Sequence, residues 1–278
     1  MRKLLLLALI SIQLYAQKIE LLDSIELSGG AVALSNNILN SIFVIDELKN
    51  ELLQFDSNLN LIRSIGGFGN GSENFDTPSD ISCNALNVYV TDKNNSRIQV
   101  FDKDLNFLFT FELAAEKLNE KIYYPQSCAV SSSGDYFVLD TENNRVVKFN
   151  SKGSYLLQFG DYESGIYQIE NPLRVLTNGI DKIFVIQKNA VNVYDFFGSG
   201  ITKLKFDYDI ISASMSINQL VITNRSKISI INFDNANNSI DIDLSSILPN
   251  EEFNHAIILN NFIFALSSKK IYKIKFLK

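Results

Sequence analysis

The 278-residue chain is predicted to be all-β and repetitive on three observations: apolar runs of four to eight residues, a recurring motif, and an almost complete lack of helical periodicity. The motif joins an aromatic residue, Val, an apolar residue or Thr, and a polar residue: Phe43-Val44-Ile45-Asp46, Tyr89-Val90-Thr91-Asp92, Phe137-Val138-Leu139-Asp140 and Phe184-Val185-Ile186-Gln187. These copies follow one another at spacings of 46, 48 and 47, and Pro78, Pro125 and Pro172 keep the same beat. Weaker copies at Val221-Ile222-Thr223-Asn224 and Phe264-Ala265-Leu266-Ser267 bring the total to six.

Each copy divides into short alternating runs separated by Asn, Asp, Gly and Ser, the signature of antiparallel strands joined by tight turns. In the second copy these are Asp80 to Cys83, Asn87 to Asp92, Arg97 to Asp102 and Phe107 to Glu112. Four strands per repeat of this length predict a six-bladed β-propeller of four-stranded antiparallel blades. The one stretch that reads as a helical turn is Ala114 to Glu120. A propeller must close, because an open ring would leave bare sheet edges. The last copy supplies only three strands (Ala256 to Leu259, Phe262 to Leu266 and Ile271 to Phe276), so the run Ile19 to Leu27 is expected to complete the last blade as its outer strand.

Ahead of that strand, Arg2 and Lys3 precede the apolar run Leu4 to Ile12, and small Ala16 follows. That layout predicts a signal peptide over 1–16 and a single propeller domain over 17–278, hence a secreted or periplasmic protein. The apolar run is shorter than the roughly 20 residues of a membrane-spanning helix, and no membrane span is expected. A formal net charge of -6 and a pI near 5.0 argue against nucleic acid as a partner, since phosphate backbones are held by clustered Lys and Arg. Two cysteines, Cys83 and Cys128, are too few for a disulfide framework; whether they pair once or pack as thiols is open at this stage.

The segment SIGGFGNGSENFDTPSDI, residues 64 to 81, followed by NVYVTDKNNSRIQVFD, resembles an NHL repeat, and GDYFVLDTENNRVVKFNSKGSYLLQFG matches equally well. The resemblance is clearest over 31–172, and it too implies a six-bladed propeller with a central channel. Asp92 and Arg97, and Asp140 and Arg145, are expected to hold the blade tips as carboxylate–guanidinium pairs across Asn-rich turns that tolerate left-handed backbone. The glycine-rich stretch with Gly66, Gly67, Gly69 and Gly71 lacks a phosphate-binding lysine and reads as a flexible blade connector.

In propellers, sites lie at a channel mouth, built from the segments that enter each inner strand. Here these are NFDTPSD, IYYPQS, ENPLR and FNHA, which nominate Phe75, Asp80, Tyr123, Tyr124, Gln126, Arg174 and His255 as binding residues. With one His in the chain, the three-His zinc site of some related-looking enzymes is impossible. No nucleophile elbow is present, and no catalytic residue or metal ligand is assigned. The expected function is therefore an exported, non-catalytic, monomeric binding module, without a cofactor, for a protein, peptide or small polar ligand. The alternative is a hydrolase or lyase that holds calcium on oxygen ligands in the channel.

Overall fold

The computed structural model describes residues 19–115, 120–216, 218–233 and 239–276. The expected signal peptide lies outside them. Six four-stranded antiparallel sheets are arranged in chain order around a central axis. Blade 1 comprises Ala31–Asn36, Ile42–Asp46, Glu51–Phe55 and Leu61–Gly66, and blade 2 comprises Pro78–Cys83, Asn87–Asp92, Arg97–Asp102 and Phe107–Glu112. Blade 3 comprises Ser127–Val130, Tyr136–Asp140, Arg145–Phe149 and Tyr155–Phe159; blade 4, Pro172–Thr177, Lys182–Gln187, Ala190–Asp195 and Gly200–Lys205. Blade 5 runs through Ser212–Ser216, Gln219–Thr223, Lys227–Asn232 and Ser239–Asp243.

Blade 6 closes the ring as expected. Its inner three strands are His255–Leu259, Phe262–Leu266 and Lys270–Phe276, and Ile19–Glu26 pairs with the last of these from Ile19 opposite Phe276 to Glu26 opposite Lys270. The hydrophobic core makes the same closure. Six clusters of buried side chains occupy the six blade-to-blade interfaces, and one of them packs Leu34, Ile42 and Val44 of blade 1 against Ile257, Phe264 and Leu266 of blade 6. The first and last described strands are thus tied into a single ring.

Burial along each blade follows from this geometry. The second strands are buried along all or nearly all of their length, Ile42–Asp46 and Tyr136–Asp140 throughout, because neighbouring blades cover both faces. Outer strands such as Leu61–Gly66 stay largely exposed. Inner strands converge on the axis and are rich in small residues, among them Ala33, Ala129, Ala213 and Ala256, all buried. Bulkier side chains at those positions would crowd the centre.

Ala114–Ala115 and Glu120–Lys121 pair as a short two-stranded ladder, and residues 116–119, the middle of the stretch expected to make a helical turn, lie outside the described residues. One expectation requires correction: the glycine-rich stretch is not a loose connector. It is tied to the blade 1 turn and closed on itself, with the Gly67 N–H donating to the Asn50 carbonyl at 2.8 Å and the Phe75 N–H to the Gly67 carbonyl at 2.9 Å. Gly66 needs its missing side chain: it has φ of +126°, and a Cβ would stand 2.3 Å from the Asn50 carbonyl oxygen. Cys83 and Cys128 are free thiols, the latter buried, and burial pushes the Cys83 thiol up to about 12.

Candidate functional site

The inner strands of all six blades meet in one polar network at the axis. Arg174 of blade 4 is its centre. Arg174 Nη2 lies 2.8 Å from Asp80 Oδ1 and donates to the Ile81 carbonyl at 2.7 Å, both in blade 2, while Nη1 donates to the Ala213 carbonyl of blade 5 at 3.0 Å. Nη1 also contacts the imidazole of His255 in blade 6, 3.1 Å from Nδ1 and closer still to Nε2. His255 Nδ1 lies 3.2 Å from the Leu34 N–H of blade 1. Blade 3 joins through Ser127, whose hydroxyl donates to Asp80 and accepts from the Val175 N–H at 3.1 Å.

Electrostatics favour this arrangement as a fixed hub. Asp80, Arg174, Ser127 and His255 are all buried. Burial pushes the Asp80 carboxyl above the ordinary carboxylate range, against the pull of Arg174 and the hydrogen bonds from Ser127 and the Ile81 N–H. Burial, and then the Arg174 charge beside it, hold His255 well below the ordinary histidine value. A histidine so depressed is a weak base at neutral pH, far from the poise that general-base catalysis favours. A buried charge pair persists where further hydrogen bonds satisfy it, as here.

The hub divides the channel into two cavities, since Arg174 lines both. On the side where chain segments enter the inner strands lies a cavity of about 570 Å³, with Asp80, Arg174 and His255 at its floor. Its wall includes Glu47, Lys93, Gln126, Thr141, Ser212 and Asn254. Lys93 Nζ donates to Gln126 Oε1 at 3.0 Å, bridging blades 2 and 3. On the opposite side lies a larger cavity of about 920 Å³.

Of the seven binding residues nominated from sequence, Asp80, Gln126, Arg174 and His255 come together at the smaller cavity. Tyr123 and Tyr124 are exposed on the segment leading into blade 3, outside its wall. Phe75 is corrected: it is fully buried between blades 1 and 2, its ring 6.1 Å from that of Phe101, because an aromatic ring at this position fills the interblade core. Glu47, Lys93 and Thr141 were not nominated, yet a signal for them exists. Each immediately follows the repeated aspartate of its blade, Asp46, Asp92 or Asp140, so the repeat register places them at equivalent turns around one mouth.

The blade-tip residues form a separate structure. Arg97 Nε lies 2.7 Å from Asp92 Oδ2, and its terminal nitrogens donate to the carbonyls of Asn70, Gly71 and Asn74 at 2.7, 2.9 and 2.9 Å. The glycine-rich stretch is thus wrapped around a guanidinium. In blade 3, Arg145 Nε lies 2.9 Å from Asp140 Oδ2, Asn143 donates to the same oxygen, and Arg145 Nη1 donates to Gln158 at 2.8 Å.

Fold, repeat register and channel together define a six-bladed β-propeller. A family model described as a 6-bladed beta-propeller matches residues 32–133, and the NHL repeat model matches residues 123–149. Protein brain tumor of Drosophila melanogaster is 29% identical over 143 residues, 51% of this chain and 13% of that protein. B-box type zinc finger protein ncl-1 of Caenorhabditis elegans is 31% identical over 142 residues, 50% of this chain and 16% of that protein. The match therefore spans only a small part of either relative. Among solved structures, a streptogramin B lyase superposes with a TM-score of 0.64 at 12% identity, covering 93% of this chain and 98% of that one. The virginiamycin B lyase of Staphylococcus aureus gives 0.64 at 13% identity, covering 94% of this chain and 100% of that one. At such identities the likeness is one of fold.

Proposed function

We propose that the protein is an exported, non-catalytic binding module whose charged mouth, walled by Glu47, Lys93, Gln126 and Thr141, receives a polar peptide or protein segment. One observation carries the reading: the polar side chains at the floor are locked to one another by a buried network across the blades, while those at the wall, with Lys93 bonded to Gln126, border a concave cavity of about 570 Å³. A rigid floor under a rim of opposite charges suits recognition by charge pattern, which confers specificity and speed of encounter. The NHL repeat and its relatives are consistent with an interaction module. Function in this fold resides in such loops and not in the fold itself. Export rests on the charged-then-apolar N-terminus and Ala16.

The calcium-type alternative needs several oxygen ligands directed at one point. Among the described residues, no group of three or more His, Cys, Asp or Glu side chains is gathered so as to hold a metal ion. No helix among them is long and apolar enough to cross a membrane.

The test is selection of peptides on the purified propeller, followed by affinity measurement on the Lys93→Glu and Glu47→Lys variants. Charge reversal at this mouth is expected to weaken selected peptides about tenfold or more. Equal affinity for both variants and the parent would overturn the site. A melting temperature raised by calcium, through mass action on the native state, would favour the metal reading instead. Mass spectrometry of the secreted product should find Gln17 at the N-terminus; retention of residues 1–16 would refute export by cleavage.

A further inference from the structure

We infer that the opposite mouth is a second, independent binding site, for a small uncharged polyhydroxylated ligand of the saccharide class. This cavity, about 920 Å³, is framed by the turns between the first and second strands of the blades. Its lining differs in kind from that of the charged mouth. The chain carries 31 Asp and Glu residues, yet no carboxylate and no lysine lines this cavity, and Arg174 is its one charged residue among those described. Asparagines take their place: Asn36 and Asn37 in blade 1, Asn84 in blade 2, Asn178 in blade 4, Asn260 in blade 6. Between them the wall is aliphatic, with Leu34, Leu176, Met215 and Ile257.

This combination selects a ligand class. A wall without carboxylates offers a cation neutral oxygens only and no opposite charge, and the Arg174 charge is already answered by Asp80, so an anion gains little. Amides and hydroxyls both donate and accept, as sugar hydroxyls do. Aliphatic surface matches the C–H faces of a sugar ring. The cavity lies within the size range of small-molecule sites.

The amides are also held in place beforehand. Asn37 Oδ1 accepts from the N–H groups of Leu39 and Ser41, Asn84 Oδ1 from those of Leu86 and Asn87, and Asn178 Oδ1 from those of Ile180, Asp181 and Lys182. A fixed rim lowers the ordering that binding must impose. Three atoms on lining residues have no hydrogen-bond partner: Asn37 Nδ2, Ser82 Oγ and Arg174 Nε. Buried polar groups are ordinarily paired; these are enclosed in the free protein, and a side-chain turn toward the cavity would let a ligand oxygen pair them.

The test is saturation-transfer NMR and thermal melting of the purified propeller with glucose, galactose, N-acetylglucosamine and maltose at millimolar concentration, with citrate and spermidine as charged controls. At least one sugar is expected to receive saturation and raise the melting temperature. Ser82→Val should weaken that sugar about fivefold without lowering the melting temperature of the free protein, because the hydroxyl it removes has no partner. Ser216→Trp, which obstructs this mouth, should abolish binding, whereas Lys93→Glu at the other mouth should leave it intact. Silence across all four sugars, stronger binding of either charged control, or sugar binding lost in Lys93→Glu would overturn the proposal. Should Ser216→Trp fail to fold by circular dichroism, Ser82→Val decides. Peptide recognition at the charged mouth stands or falls separately, since it is read on Lys93 and Glu47.

Discussion

Two kinds of buried arginine–aspartate pair hold this protein together, and they differ in reach. At the blade tip, Arg97 pairs with Asp92 five residues away, and Arg145 with Asp140 repeats the arrangement in the next blade. At the axis, Arg174 pairs with Asp80 two blades earlier and touches His255, 81 residues later. The tip pair organises one hairpin and its connector. The axial pair organises the ring. The local pair recurs because blades 2 and 3 make the same Asn-rich turn, whereas one axis needs one hub.

The largest expected effect comes from the hub. Arg174→Met removes the charged partner of Asp80 and the guanidinium donors to the Ile81 and Ala213 carbonyls in a buried setting, so it should cost about 3–5 kcal/mol of global stability, read by urea denaturation. Arg97→Met should destabilise less by that measure, because the 66–74 segment can detach while the ring stays closed. Hydrogen exchange would then show loss of protection confined to that connector and to blade 2. Loss of protection spreading evenly to all six blades would erase the distinction between tip and hub.

Acid sharpens the same comparison. His255 has a folded pKa below its ordinary 6.5, so the unfolded chain takes up the proton first and stability falls as pH drops below that value. The slope should approach about 1.4 kcal/mol per pH unit at its steepest. Asp80 has a raised folded pKa, so it acts in the opposite sense at lower pH, where the folded carboxyl accepts a proton before the unfolded one. His255→Gln should flatten the fall between pH 7 and pH 5; an unchanged slope would place the sensitive group elsewhere. The smallest effect belongs to Lys93→Glu. This side chain touches Gln126 at an open rim, so its substitution should move stability by no more than about 0.5 kcal/mol while altering peptide binding.

Much of the ring was legible in the chain. Alternation with period two marked the strands, the 46-to-48-residue beat marked the blades, and the missing fourth strand of the last copy was found at Ile19. The tip pairs were legible because Asp92 and Arg97 lie within one hairpin and recur one repeat later. The site was legible only in part. Segments entering the inner strands nominated Asp80, Gln126, Arg174 and His255, yet the same logic nominated Phe75, which the interblade core absorbs.

What the sequence by itself determined is whatever neighbouring residues enforce: strand alternation, turn chemistry at the asparagines, the repeat count and the tip pairs. Only the tertiary structure decided that Arg174 meets Asp80 and His255, that the glycine-rich stretch encloses Arg97, and that the channel has one charged and one amide-lined mouth. Those outcomes depend on ring closure, which brings residues such as Leu34 and His255, 221 positions apart, within hydrogen-bonding distance. Local propensity acts over a few residues, while closure is a property of six blades packing at once.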